Sequence, residues 1–180
     1  MEAVPEAMGV EEAELTIRER SDLRRDPRVR AIAPPMPMAL IEPVEFESVI
    51  ALEEAEATWG VEAVGATASP FDGSGITVAV LDTGIDPNHP AFAGAELLRR
   101  NFTTEGEDDL NGHGTHCAGT IFGKDVQGRR IGVARNIKRA LIGKVLGEGG
   151  GSSATIAKAI QWAVEEGAHD PVPAPGVLCF

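Results

Sequence analysis

The chain has 180 residues, 43% hydrophobic and 24% charged, with a formal net charge of −12. That length suits one domain of ordinary size and that composition a mostly globular one, while the acidic balance argues against nucleic acid as a partner. The longest apolar runs fall far short of the roughly 18 residues of a spanning helix, which argues against a membrane partner.

The opening stretch, MEAVPEAMGVEEAEL, is acidic and has no apolar core, so no secretory signal is read. The two cysteines, Cys117 and Cys179, are too far apart to suggest a disulfide framework, and the expected compartment is a reducing, cytoplasmic one. Basic residues cluster at 18–30 and 124–144 and acidic ones at 2–14 and 42–62, all read as solvated faces. Residues 1–43 read as a leader. Pro27, Pro34, Pro35, Pro37 and Pro43 bar helix interiors and central strands, so its tail should be extended and act as a linker. In VEFESVIALEEAEATWG, the spacing of Phe46, Val49, Ile50 and Glu53 predicts a short amphipathic helix stopped by Gly60.

Ile76–Leu81 is almost continuously apolar and lies between Gly73 and Gly75 on one side and Gly84 on the other, which predicts a strand buried on both faces. Residues 95–102 and 139–147 predict two more strands. The clearest helix follows, with Ile156, Ala159, Ile160, Ala163 and Val164 on one face and Lys158, Gln161, Trp162 and Glu165 on the other. Ser152 or Ser153 suits its N-cap and Gly167 the position after its end. Alternation of strand and helix predicts an α/β fold, a parallel sheet flanked by helices. The last stretch, DPVPAPGVLCF (170–180), does not continue that pattern, with three prolines in five residues.

Two motifs carry chemistry. AVLDTGID (79–86) alone leaves two catalytic uses of Asp82 open: activation of water, or orientation of a histidine. NGHGTHCAGT (111–120) adds His113 and His116, three apart. A metal could use that spacing on a helix, but no Glu directly follows His113 and no third ligand stands out, so no metal is expected.

Together the two motifs closely resemble those of the subtilisin-like serine proteases, the subtilases. NHP (88–90), GVA (132–134), KVLGEGGGSSATIAKAIQWAVEEGA and TWGVEAVGA resemble that family too, and DLRRDPRVRAIAPP is similar to the end of a subtilase propeptide. The resemblance implies a propeptide-like leader and linker at 1–43, the N-terminal part of a catalytic domain at 44–169, and an unrelated tail at 170–180. It implies an incomplete subtilisin-like fold and serine endopeptidase chemistry on polypeptide substrates, with Asp82 and His113 as triad members. A serine hydroxyl needs an adjacent imidazole to take its proton, and the imidazole needs a carboxylate to fix its tautomer. The order Asp, His, Ser is the subtilisin order. Gly149, Gly150 and Gly151 match the segment that borders the substrate cleft and could bind an extended peptide as an added strand. Many subtilases carry a calcium-binding Asp where Ala91 stands, so structural calcium is doubtful and no cofactor is expected. No motif sets an oligomeric state.

Only Ser152 and Ser153 follow His113, and neither has a nucleophile's context; the only later asparagine, Asn136, does not match the family's oxyanion residue. The 180 residues alone are therefore expected to lack endopeptidase activity. The alternative functions are an inactive truncated remnant or a peptide-binding pseudoprotease, and remotely an aspartic-type protease, which would leave GHGTHCAGT unexplained. The ending reads as a frameshift or premature stop. It is expected to leave the strand of Asp82 as an exposed apolar edge. Asp86 is expected to shape a turn, Cys117 to be a packed thiol, and His116 to be a buried, hydrogen-bonded histidine.

Overall fold

The computed structural model describes residues 9–41, 56–168 and 177–179. Most of the helix expected at 44–60 lies outside them. What is described there is a short helix over Trp59–Ala63 that contains Gly60 rather than stopping at it; the turn out comes at Gly65, with φ +70°. In chain order the elements are α1 (Ile17–Leu23), β1 (Pro37–Met38), α2 (Trp59–Ala63), β2 (Thr77–Asp82), a 3₁₀ turn at Pro90–Phe92, β3 (Glu96–Asn101), α3 (His113–Phe122), β4 (Arg139–Lys144), β5 (Gly151–Ser152), α4 (Ser153–Ala168) and β6 (Val177–Cys179).

Four strands form one sheet in the order β3-β4-β2-β6, with every neighbouring pair parallel. β2 alternates its side chains between two buried faces, which explains its continuously apolar run. Val78 and Val80 join Ala140 and Ile142 of β4 against Ala118 and Phe122 of α3 and Phe92 of the 3₁₀ turn. Ala79 and Leu141 meet Trp162 and Ala163 of α4, and Leu81 meets Ala159. Each fully buried Val, Leu or Ile on these faces contributes about 1.5–3 kcal/mol of transfer free energy. This is the expected α/β architecture, a parallel sheet flanked by helices.

Two expectations about the sheet and α4 need correction. β2 is not an edge, because Val177–Cys179 pairs with Val78–Val80 on the side away from β4. The prolines at 171–175 precede that strand in the sequence, and the three residues 177–179 keep the N–H groups that a ladder along Val78–Val80 needs. In α4 the inward face is rotated from the expected one. Trp162 is buried and lies 5.7 Å from the Phe102 ring, whereas Val164 is 65% exposed. Gly167 lies within the helix, which runs to Ala168. At its start Ser152 caps, its Oγ accepting from Thr155 N–H at 3.1 Å.

Residues 10–38 dock on this framework. In α1, Thr16 and Glu19 form a reciprocal capping box, a T-x-x-E signal readable in TIRE. Val10 N–H donates to Gln161 Oε1 at 3.0 Å and Lys158 pairs with Glu12 at 2.7 Å, both on α4. Pro37 and Met38 pair antiparallel with Ser152 and Gly151. The adjoining Ser153 N–H donates to Met36 O, and Met36 N–H to Ser153 Oγ, both at 2.9 Å.

Candidate active site

Asp82 is the last residue of β2, and its side chain reaches the C-terminal edge of the parallel sheet, where α/β folds gather functional groups. His113 is the first residue of α3. Gly112 turns the chain into that helix in the left-handed region, with φ +89°, which only glycine adopts without cost. His113 Nδ1 lies 2.8 and 2.9 Å from the two carboxylate oxygens of Asp82. Asp82 is 4% exposed, and its Oδ1 also accepts from Thr83 N–H at 2.6 Å. A carboxylate only accepts, so Nδ1 is the donor and the neutral ring is the Nδ1–H tautomer. Nε2 then keeps its lone pair and can take a proton.

The approach of α3 to the strand end depends on Gly114. Its N–H donates to Thr83 Oγ1 at 2.9 Å, and a Cβ there would run into Gly84 O. Asp109, four residues before His113, ties the same parts together. Its Oδ1 accepts from Thr83 Oγ1 (2.8 Å), Gly112 N–H (2.9 Å) and Asn111 N–H (3.2 Å), and its Oδ2 from Thr115 Oγ1 (2.6 Å) and Thr115 N–H (2.8 Å). Burial alone would raise this carboxyl, but the hydrogen bonds from Thr115, Gly112 and Thr83 outweigh it and hold it below the usual aspartate value.

Cys117 sits one turn after His113. Its Sγ is 3.6 Å from Nδ1 and 3.8 Å from Nε2. Near-equal distances put the sulfur off both lone-pair directions. Asp82, His113 and Cys117 carry ligand atoms within 4.8 Å of one another. An ion shared by all three would need the ring to rotate and give up Asp82, because Nδ1 is already taken and Nε2 does not aim at the sulfur.

Other singled-out residues fall as follows. Asp86 accepts from Asn88 N–H at 2.9 Å, a turn, and its own N–H donates to Thr115 Oγ1 at 2.9 Å. Ala91 is 1% exposed inside the core and offers no side-chain oxygen. His116 is exposed, contrary to expectation. The buried positions of α3 are Gly114, Ala118, Gly119 and Phe122, so His116, two residues after Gly114 and two before Ala118, points away. Gly150 and Gly151 line the strip on which Pro37–Met38 lies; a Cβ on Gly150 would strike Met38 O and one on Gly151 would strike Val145 O. Beside this strip a cleft of about 370 Å³ is lined by Leu40, Thr83, Glu105, Leu110, Lys144 and Gly149, among others. Lys144, paired in register with Asp82, is 4% exposed, and its Nζ donates to Asp108 O at 2.8 Å. Sequence reasoning passed over Lys144 and Asp109. The signals available were a charge inside ALIGKVL and an acid just before a helix start.

The profile of the subtilase family matches residues 73–170, more than half of the chain. Subtilisin-like protease 1 of Trichophyton equinum is 34% identical over 154 residues, covering 80% of this chain and 28% of that protein. Subtilisin-like protease 6 of the same organism is 36% identical over 117 residues, covering 61% and 27%. The chain thus spans a little over a quarter of the length of these relatives. Among solved structures, the Clostridium perfringens CspB protease superposes with a TM-score of 0.50 at 22% identity, covering 61% of this chain and 30% of that one. A cold-adapted subtilisin-like serine proteinase gives 0.48 at 32% identity, covering 61% and 37%. The chain belongs to the subtilase family.

Proposed function

We propose that this chain carries the Asp-His part of a serine endopeptidase acting on polypeptides, with Asp82 as the orienting carboxylate and His113 as the general base. The observation that carries the reading is the double contact of His113 Nδ1 with the buried Asp82 carboxylate, at 2.8 and 2.9 Å. A serine Oγ placed at Nε2 would lose its proton to the ring as it attacks a carbonyl. The Asp82 charge would stabilise the imidazolium that forms, and the same proton would then pass to the leaving amine. None of the serines within the 180 residues has the context of that nucleophile: Ser152 Oγ caps α4 and Ser153 Oγ holds Met36 N–H.

Gly149–Gly151 would hold substrate as an added strand. The antiparallel pairing of Pro37–Met38 with Gly151–Ser152 favours that reading, since an extended segment already uses this edge. The same pairing favours the leader at 1–43 being a propeptide end, and peptide binding without catalysis as the activity of the isolated chain.

The test joins residues 1–169 to the remaining length of the Trichophyton equinum subtilisin-like protease 1 and exposes the chimera to a fluorophosphonate probe. Labelling that disappears in His113→Ala and falls steeply in Asp82→Asn is expected; labelling that survives both unchanged overturns the assignment. The 180-residue chain alone should take no label.

A further inference from the structure

We propose that Asp109 is a positioning residue for the Asp82–His113 pair, an inference that rests on the function proposed above. The hydrogen-bond directions around its carboxylate are forced. The carboxylate only accepts, so the Thr83 and Thr115 hydroxyls must both spend their single proton on it. Their lone pairs are thereby turned toward backbone donors on opposite elements. Thr83, at the end of β2, accepts from Gly114 N–H of α3, and Thr115 of α3 accepts from Asp86 N–H in the loop after β2, each at 2.9 Å. Strand end and helix start each lend a hydroxyl to the other, and one carboxylate orients both. Asp82 and His113 are the residues that directly precede Thr83 and Gly114, so this cross-brace sets the spacing across which Nδ1 and the Asp82 oxygens meet.

An asparagine of the same size cannot replace this carboxylate. If its amide nitrogen took the Oδ1 position it would face the N–H groups of Gly112 and Asn111. In the Oδ2 position it would face Thr115 N–H. Either choice sets a donor against a backbone donor in a partly buried place, and such a mismatch forces the segments apart.

The experiment is ¹⁵N NMR of the histidine side chains in the full 180-residue chain, with neutral imidazoles, reading the His113 tautomer and its downfield Nδ1–H proton. Thermal melts run alongside. Wild type should show the Nδ1–H tautomer and the bonded proton. Asp109→Asn and Thr83→Val should lose the bonded proton, while Thr83→Ser and Thr115→Ser, which keep the hydroxyls, should retain it. A residue with only a structural role would lower the melting temperature and leave the tautomer alone. Wild-type signals that persist in folded Asp109→Asn overturn the role of Asp109 and leave the function reading standing. Absence of the bonded proton in wild type overturns both.

Discussion

Gly114→Ala places one methyl group where α3 meets the end of β2. A Cβ at Gly114 would fall well inside 3.0 Å of Gly84 O, a separation that real Cβ atoms essentially never show, and 3.0 Å from Gly84 N and 3.1 Å from Thr83 Oγ1. These neighbours are mostly backbone and cannot swing aside. Restoring ordinary contact at 3.4 Å means opening the junction by more than 0.4 Å. The Gly114 N–H bond to Thr83 Oγ1 at 2.9 Å, and the His113–Asp82 contacts at 2.8 and 2.9 Å, then stretch beyond normal hydrogen-bond length. Overpacking costs about 1–3 kcal/mol and a broken buried hydrogen bond about 1–3 kcal/mol more. The alanine gains at most about 1 kcal/mol in helix propensity, so the net loss is about 1–6 kcal/mol. Gly119→Ala is the internal comparison. It lies in the same helix with nothing within 4 Å of its Cβ, and should stabilise by about 0.5–1 kcal/mol. Urea unfolding of the two variants measures both signs. A Gly114→Ala protein as stable as wild type, with the His113 Nδ1–H proton intact, would refute the packing argument.

Trp162→Ala should cost about 3–5 kcal/mol, since the side chain is buried against Phe102 and Leu141, while exposed Val164→Lys should change stability by less than about 0.5 kcal/mol; equal losses in denaturant melts would contradict the rotated face of α4. Arg130 is 8% exposed and donates to the carbonyls of Ala66, Gly132 and Val133 at 2.9, 3.1 and 2.8 Å. Arg130→Met would leave the Gly132 and Val133 carbonyls unpaired at about 1–3 kcal/mol each, and Ala66 O with only the Ser69 N–H at 3.4 Å, so a loss of about 2 kcal/mol or more is expected, with near-wild-type melts contradicting it. Asp72 accepts from Ser74 and from Asn136, which lower its pKa to about 2. A depressed carboxyl contributes stability above its unfolded value near 3.8, lost as pH falls through about 2. Asp72→Asn should therefore flatten the acid limb of the stability curve, and an unchanged limb would count against this clamp between the loops before β2 and β4.

β2, β4 and the α/β class were legible because these two strands are buried on both faces and so run apolar without alternation. Asp82 and His113 could be singled out because each sits in a contiguous motif, and they lie in hydrogen-bond contact. Asp109 was not legible in the same way. Its partners come from the end of β2, the turn into α3 and the helix itself, and hydroxyls and N–H groups leave no pattern in a composition. The α4 face was misread because apolar residues at 156, 159, 160, 163 and 164 fit helical spacing, yet a large aromatic beside them gains more by burial than a valine. Pairing of Pro37–Met38 with Gly151–Ser152 is made by backbone, to which side-chain periodicity is blind.

The most direct test of the Asp82–His113 assignment is the ring tautomer of His113 in wild type and in Asp82→Asn, read by side-chain ¹⁵N shifts with the imidazole neutral. The account predicts a proton on Nδ1, hydrogen-bonded to Asp82 and displaced from that nitrogen in Asp82→Asn, as an orienting carboxylate requires. A wild-type ring protonated on Nε2, or a tautomer indifferent to the loss of the Asp82 carboxylate, would contradict it.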